Sequence, residues 1–540
     1  MPRSAADDVV VVVEQGALRG ARDPAGYCSF RGIPYAKPAL GALRFRAPQP
    51  ADAWDGVRDA FSEGPVAPQI DDFVDNAYLG EEDCLYLNVF TPKLPAESVD
   101  KPKAVMVWIH GGGFYMGSGN TRINGPEYLM TGDVVLVTFN YRLGALGFLS
   151  TEDGQTCSNC GLKDQAVALR WVQRNIAQFG GDPHNVTIFG VSAGGGSVHF
   201  HLLSAMSRGL FHRAIAMSGV ALNPWALVEA PRDRAFRLGA VLGCHTTDST
   251  ELVRFLRSVP ARELIENVEK AQTPEEKASN LMFFAPTLEK GAEQGAEVFV
   301  PGQPLDLMRA GLFHKVPFVS GITSHEGMLV MRALSRDPAF LSYLNNDYEY
   351  LVPYSLKLKK GSPKSQEVAQ RIKKFYFGDK PISRETLQPL FDLLSDVFFV
   401  VGLRKSLELQ LAHTATPIYC YQFSFDEKLG LLEKYLGDYT TPGVCHGAEV
   451  AYLFRAFYID DSRLDPGTNY MKTVQRMVKL WTNFAKTGNP TPERDPLVDV
   501  IWNPVTKSEL HYLNIDKDLS MQKDLAKDRV AFWEDLQSSL

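Results

Sequence analysis

Eleven residues near the middle of the chain, Val186-Thr-Ile-Phe-Gly-Val-Ser-Ala-Gly-Gly-Gly196, constrain the fold more than any other stretch. The β-branched and aromatic run Val186 to Phe189 has the make-up of a short strand, and it stops at Gly190. An apolar helical pattern follows from Val198 to Leu203. Between the two, Ser192 sits in a Gly-x-Ser-x-Gly set on a strand-to-helix turn. A serine at such a turn projects its hydroxyl clear of the strand ends. Glycines on both sides keep side chains from colliding across so sharp a bend. A chain with 44 glycines also produces this pattern as an ordinary tight turn, so its meaning depends on the segments around it.

Those segments alternate between strand and helix. Ala104 to Ile109 is a continuous apolar run of the kind buried on both faces of a sheet, and it ends at His110-Gly-Gly-Gly-Phe114. Val134 to Phe139 is a second such run and leads into Asn140-Tyr-Arg142. From Gly161 to Phe179, Leu162, Ala166, Leu169, Val172 and Ile176 recur at helical spacing. Glu82 to Val89 alternates as a strand does, and Val9 to Val13 reads as an edge strand paired with Gly16 to Gly20. Gly32 to Pro50 is a proline-punctuated loop. Beyond Pro231 the pattern turns more helical and polar, with strand-like pieces at Val316–Gly321 and Ile418–Phe423. The expectation is an α/β chain with a central, mostly parallel sheet, helices on both faces and helical insertions. No Ser/Gly-rich linker or internal repeat divides it, so residues 1–540 are expected to form one domain.

Charge and composition exclude several classes. A net charge of −7 offers no basic footprint for nucleic acid or acidic membranes. No apolar run approaches the ~18–20 residues of a membrane span. The apolar block at Val9 is too short for a secretory h-region and follows two aspartates, and Ser538-Ser539-Leu540 is a poor peroxisomal address. Seven cysteines are too few, and odd in number, for a disulfide framework. These features together predict a cytoplasmic protein. Cys157 and Cys160 make a Cys-x-x-Cys without a second pair or a nearby histidine cluster, so they read as two loop thiols, and neither a metal nor a cofactor is expected.

Ser192 is a weak nucleophile unless a base takes its proton and an acid orients that base. The oxyanion formed on attack needs backbone N–H donors, and the His110–Phe114 glycine loop after a buried strand is suited to present them. Of eleven histidines, His199 and His201 fall on the helix after the serine, where packing or solvent exposure is expected. His446 lies in the loop Pro442-Gly-Val-Cys-His-Gly-Ala-Glu449. In hydrolases built on this elbow the order is serine, acid, histidine, so a late histidine fits. Glu326 follows the strand-like 316–320 segment, at the edge where functional groups gather in α/β sheets. Spacing alone singles out neither residue.

The chain resembles the type-B carboxylesterase/cholinesterase family over nearly its whole length, with an insect-type, intracellular character. The resemblance is carried by Phe30-Arg-Gly-Ile-Pro-Tyr35, Glu82-Asp-Cys-Leu-Tyr-Leu-Asn88, His110–Phe114, Asn140-Tyr-Arg-Leu-Gly144 and Gly161-Leu-Lys-Asp-Gln165. Gly190–Gly194, Gly321-Ile-Thr-Ser-His-Glu-Gly327, Gly443–Gly447 and Trp481–Pro490 complete it. It implies an α/β-hydrolase fold and a catalytic triad of Ser192, Glu326 and His446. The implied oxyanion hole is Gly112, Gly113 and Ala193, with Ser218 behind the triad. Arg44 with Glu82 and Arg142 with Asp164 match structural ion pairs. Trp225, Met282, Phe283 and Phe284 fall where the family lines its acyl pocket, although plain core packing would use the same aromatics.

Departures from the pattern narrow the expectation. Val191 stands where cholinesterases carry glutamate, and Pro65 to Asp83 holds no tryptophan, so the aromatic face and the charge that a quaternary ammonium requires are both missing. Cys84 and Cys244 match disulfide positions whose partners are replaced by Ala67 and Phe255. The expected activity is hydrolysis of apolar carboxylic esters (xenobiotic, pheromone-like or hormone esters) through an acyl-enzyme. Alternatives are a slow esterase that sequesters insecticide esters or organophosphates, and a non-catalytic binding protein. The partner is a small-molecule ester, with neither nucleic acid nor a membrane span, in a monomer or weak dimer.

Overall fold

The computed structural model describes residues 8–71, 77–97, 101–278, 282–290, 297–337, 339–431 and 441–540. The first strands are β1 (Asp8–Val13), β2 (Gly16–Arg22), β3 (Cys28–Pro34), β4 (Val57–Asp59), β5 (Gln69–Asp71), β6 (Ala77–Leu79) and β7 (Tyr86–Thr91). The central ones are β8 (Lys103–Ile109), β9 (Val135–Phe139), β10 (Gly181–Val191), β11 (Arg213–Met217), β12 (Phe318–Thr323) and β13 (Ile418–Phe423). The last two are β14 (His511–Ile515) and β15 (Leu519–Lys523).

Among the described residues, thirteen strands form one sheet in the order β1-β2-β3-β7-β9-β8-β10-β11-β12-β13-β14-β15, with β4 beside β2. From β9 through β14 neighbouring strands run parallel, and antiparallel strands flank this centre on both sides. β1 pairs with β2 in the register expected from the sequence, Val13 opposite Gly16 and Val9 opposite Gly20. β12 starts two residues later than the apolar run suggests, because Pro317 has no N–H for the ladder and pairing begins at Phe318.

Side-chain alternation along β8 divides the core in two. Val105, Val107 and Ile109 pack on one face with Leu162, Ala166, Leu169 and Val172 of the helix Cys160–Asn175. Met106 and Trp108 pack on the other with Val474, Met477 and Trp481 of the helix Asn469–Thr487. The helix read over 161–179 closes at Asn175 and tightens into a 3₁₀ turn, Ile176–Phe179. A third cluster joins the helices Pro363–Phe377, Leu387–Ser395 and Lys527–Ser538. The helical stretch Arg384–His413 is apolar and long enough to cross a bilayer, yet 56% of its most apolar window is buried within the protein.

Two ion pairs brace the loops on the first face. Arg142 donates to both oxygens of Asp164 at 2.7 and 2.8 Å, and a further donation reaches the Arg46 carbonyl. Asp164 is fully buried and also accepts from the Arg142 backbone N–H at 3.0 Å. Arg44 pairs with Glu82 and donates to the carbonyls of Leu256 and Val259. Removing one partner of a buried pair strands the other charge in a low-dielectric interior. Asp164→Ala is therefore expected to cost about 3–5 kcal/mol, read as a lowered urea midpoint. Asp52→Ala, at the exposed Lys37 pair, should shift it by less than ~1 kcal/mol.

Candidate active site

The site lies where parallel strands end side by side. β10 stops at Val191, and Ser192 takes φ 58°, ψ −122° before the helix Ala193–Leu203 begins. That left-handed φ is costly for a residue with a Cβ. Hydrogen bonds hold it: the Ser192 N–H donates to Met217 O at 2.8 Å, and the Ser192 carbonyl accepts from Gly196 N–H at 2.8 Å. The flanking glycines are required by contact. A Cβ at Gly194 would lie 2.0 Å from Ile109 O, and one at Gly190 would lie 2.4 Å from the same atom.

Each neighbouring strand end adds one group. Ser218 follows β11 with φ 48° and is tied to β12 through Gly321 O at 2.8 Å. Glu326 opens the 3₁₀ turn Glu326–Val330 just beyond β12 and is completely buried. Its Oε1 accepts from Ser218 Oγ at 2.5 Å and from Thr323 N–H at 2.7 Å, and its Oε2 from His446 Nδ1 at 2.5 Å. With Nδ1 directed to the carboxylate, Nε2 is the ring nitrogen left on the opposite side. The His446 loop is anchored to the β12 end by His325 N–H to Val444 O and by Val444 N–H to Ser324 Oγ, both at 3.0 Å. The Phe399 ring covers the imidazole, with centroids 4.7 Å apart.

The glycine loop closes on the same elbow. A Cβ at Gly111 would come within 3.1 Å of Ser192 Cβ. His110 is stacked on Tyr141 at 4.4 Å, and Tyr141 OH donates to His110 O at 2.9 Å. Burial holds the His110 imidazole near pKa 4, so it is neutral and structural. His199 and His201 are buried too, at about 3, and bond to Ser406 (2.7 Å) and to Ser207 (2.6 Å) with Gln165 (3.0 Å).

The aromatic residues divide by position. Trp225 Nε1 donates to Phe398 O at 2.9 Å, and its ring lies 5.9 Å from Phe399 and 6.4 Å from Phe114. The Met282 sulfur is 2.7 Å from where a Cβ on Gly113 would be. Phe283 instead lies under the guanidinium groups of Arg234 and Arg237, at 5.4 and 5.2 Å, with Phe284 edge-on to it at 4.8 Å. Phe399 was not legible from sequence. It sits on a π-helical turn, Asp396–Val400, whose buried Asp396 is pinned by Tyr376 and Arg529.

Sequence reasoning also missed Glu449, three residues after His446 on the turn Ala448–Tyr452. It is fully buried, and its Oε1 is 3.2 Å from both Ser218 Oγ and Tyr421 OH. Oε2 has no partner among the described residues. Burial, then repulsion from Glu326, pushes its carboxyl up to about 7. The folded protein thus holds a proton there that the unfolded chain has released above ~4.3. Stability from this group is complete below that value and is lost as pH rises through about 7. Glu449→Gln should remove this slope: urea midpoints match wild type at pH 4.5 and exceed it at pH 8. Equal differences at both pH values would refute the assignment.

The carboxylesterase family's sequence model matches residues 7–533. Juvenile hormone esterase of Tribolium castaneum is 36% identical over 96% of this chain and 91% of its own length. Esterase E4 of Myzus persicae is 39% identical over 89% of this chain and 85% of its own. Among solved structures, juvenile hormone esterase from Manduca sexta, with OTFP covalently attached, superposes with a TM-score of 0.86 at 31% identity, covering 98% of this chain and 100% of that one. With the sheet order and strand-end site described above, these likenesses establish that the chain has the α/β-hydrolase fold and belongs to the carboxylesterase family, as a carboxylic ester hydrolase.

Proposed function

We propose that the chain hydrolyses apolar carboxylic esters through a Ser192–His446–Glu326 triad and an acyl-enzyme. The observation that carries this reading is the Glu326–His446 hydrogen bond at 2.5 Å, formed two strands away from a serine held at φ 58°. His446 Nε2 would take the Ser192 proton as Oγ attacks the ester carbonyl. Glu326, held by Ser218 and Thr323, orients the ring and supports its positive charge. The tetrahedral oxyanion would be met by N–H groups of Gly112, Gly113 and Ala193. Among the described residues, none of these three N–H groups has an acceptor within the protein, as expected for a loop and a helix first turn poised for a ligand. His446 then returns the proton to the departing alcohol, and water activated by the same ring releases the acid.

Trp225, Phe399 and Met282 beside the elbow and the glycine loop favour an apolar acyl or alcohol group, and Val191 adds no charge. The covalent attachment in the Manduca sexta esterase is in keeping with a nucleophile of this kind.

The test is the time course of naphthyl acetate hydrolysis. Wild-type protein should turn over steadily, and Ser192→Ala should lose on the order of 10⁴–10⁶-fold in kcat with its melting temperature kept. A stoichiometric burst followed by arrest would replace turnover with sequestration. No hydrolysis by folded wild-type protein would refute the reading. Phe399→Ala should alter KM across an acyl-chain series more than it alters kcat for the acetate.

A further inference from the structure

A second cluster of reactive side chains lies outside the site, where the chain enters the helix Cys160–Asn175. Asn159 precedes that helix with φ 55°, and this bend folds Cys157 back towards Cys160, the first helical residue. The Cys160 thiol donates to Cys157 O at 2.9 Å. Cys157 is partly buried and Cys160 is buried. One turn along, the almost fully buried Lys163 places Nζ 3.3 Å from Cys157 Sγ and 2.8 Å from Glu289 Oε2.

We propose that Cys157 and Cys160 form a reversible dithiol–disulfide site, oxidised by peroxides. The roles follow from the geometry. Cys157, the less buried of the two, has the Lys163 cation against its sulfur, as an attacking thiolate requires, and the buried Cys160 stands behind it as the resolving thiol. The Cys160 hydrogen bond, followed by Lys163, draws the Cys157 thiol down to about 7, whereas Cys160 is pushed up. Cys28, Cys84 and Cys420 are buried thiols in which desolvation outweighs the pull of Arg22, Arg142 and Arg404 and pushes the thiol up.

The chemistry balances with hydrogen peroxide as oxidant. Cys157 thiolate attacks one peroxide oxygen; an S–O bond forms, the O–O bond breaks, and hydroxide leaves to take a proton from solvent. Cys160 sulfur then attacks the Cys157 sulfenic acid; the S–S bond forms, the S–O bond breaks, and water departs with the Cys160 proton. Two thiols lose two electrons, and one peroxide becomes two waters. A thiol reductant reverses the linkage by exchange.

The test uses the full chain, reduced, freed of reductant and exposed to hydrogen peroxide, with iodoacetamide labelling read by peptide mass spectrometry. Before peroxide, Cys157 should label at least about tenfold faster at pH 7 than Cys28, Cys84 or Cys420. After peroxide, the peptide holding both residues should lose two hydrogens, resist labelling, and regain both thiols on reduction. Cys160→Ser should abolish the linkage and let Cys157 proceed to sulfinic acid, with the melting temperature unchanged. Should that variant fail to fold, the wild-type peptide decides. Undiminished labelling of both cysteines after peroxide would overturn the proposal, as would sulfinic acid at Cys157 in wild type or a Cys157–Lys163 linkage. None of these readouts depends on ester hydrolysis.

Discussion

A completely buried carboxylate, Glu326, is the constraint on which the rest of the site depends. Burying a carboxylate is costly unless its oxygens are satisfied. Three donors satisfy this one: the hydroxyl of Ser218, the N–H of Thr323 and the imidazole of His446. They come from the end of β11, the end of β12 and a loop more than a hundred residues further on. Each can reach Glu326 only if parallel strands are aligned at their carboxyl ends. The sheet therefore acts as the ruler for the site, and the site in turn explains why left-handed backbone is tolerated at Ser192 and Ser218.

The strands themselves are held in line by apolar packing on both faces and by short bonds between their ends. Ser192 N–H reaches Met217 O and Ser218 N–H reaches Gly321 O, so each of these two serines hangs on its neighbour strand. Glycines at 190 and 194 let the elbow press against Ile109 O, the last carbonyl of β8 and the start of the glycine loop. Elbow and loop are thereby fixed to one another, which is the preorganisation the proposed oxyanion site would need. Glu449 adds a second buried carboxyl to the same hydroxyl of Ser218, and repulsion between the two acids is relieved by a proton on Glu449.

Much of this was legible. Continuous apolar runs marked β8, β9 and β10, because strands covered on both faces need no polar side. The Gly-x-Ser-x-Gly turn marked the elbow, because a strand feeding a helix there has few alternatives. The motifs carrying the family resemblance extended that reading to Glu326 and His446, which spacing alone did not single out. Phe399 was hidden because it reaches the imidazole through a π-helical turn, and nothing in Asp396-Val-Phe-Phe-Val400 announces the extra residue in that turn. Phe283 and Phe284 were ambiguous for the opposite reason: aromatic residues suit a pocket and a core equally, and only the arginines over Phe283 show which way it faces.

The sequence by itself determined the class of fold, the elbow and the family, since these rest on local periodicity, turn chemistry and motif order, all properties of neighbouring residues. Tertiary structure decided which distant groups meet. The pairing of Glu326 with His446, the arrival of Glu449 at Ser218, and the contact of Lys163 with Cys157 beside Glu289 depend on side chains whose partners lie up to 231 residues apart. Burial decided protonation as well. Glu449 becomes a weak acid because water is excluded around it, and exclusion of water is a property of the packed molecule.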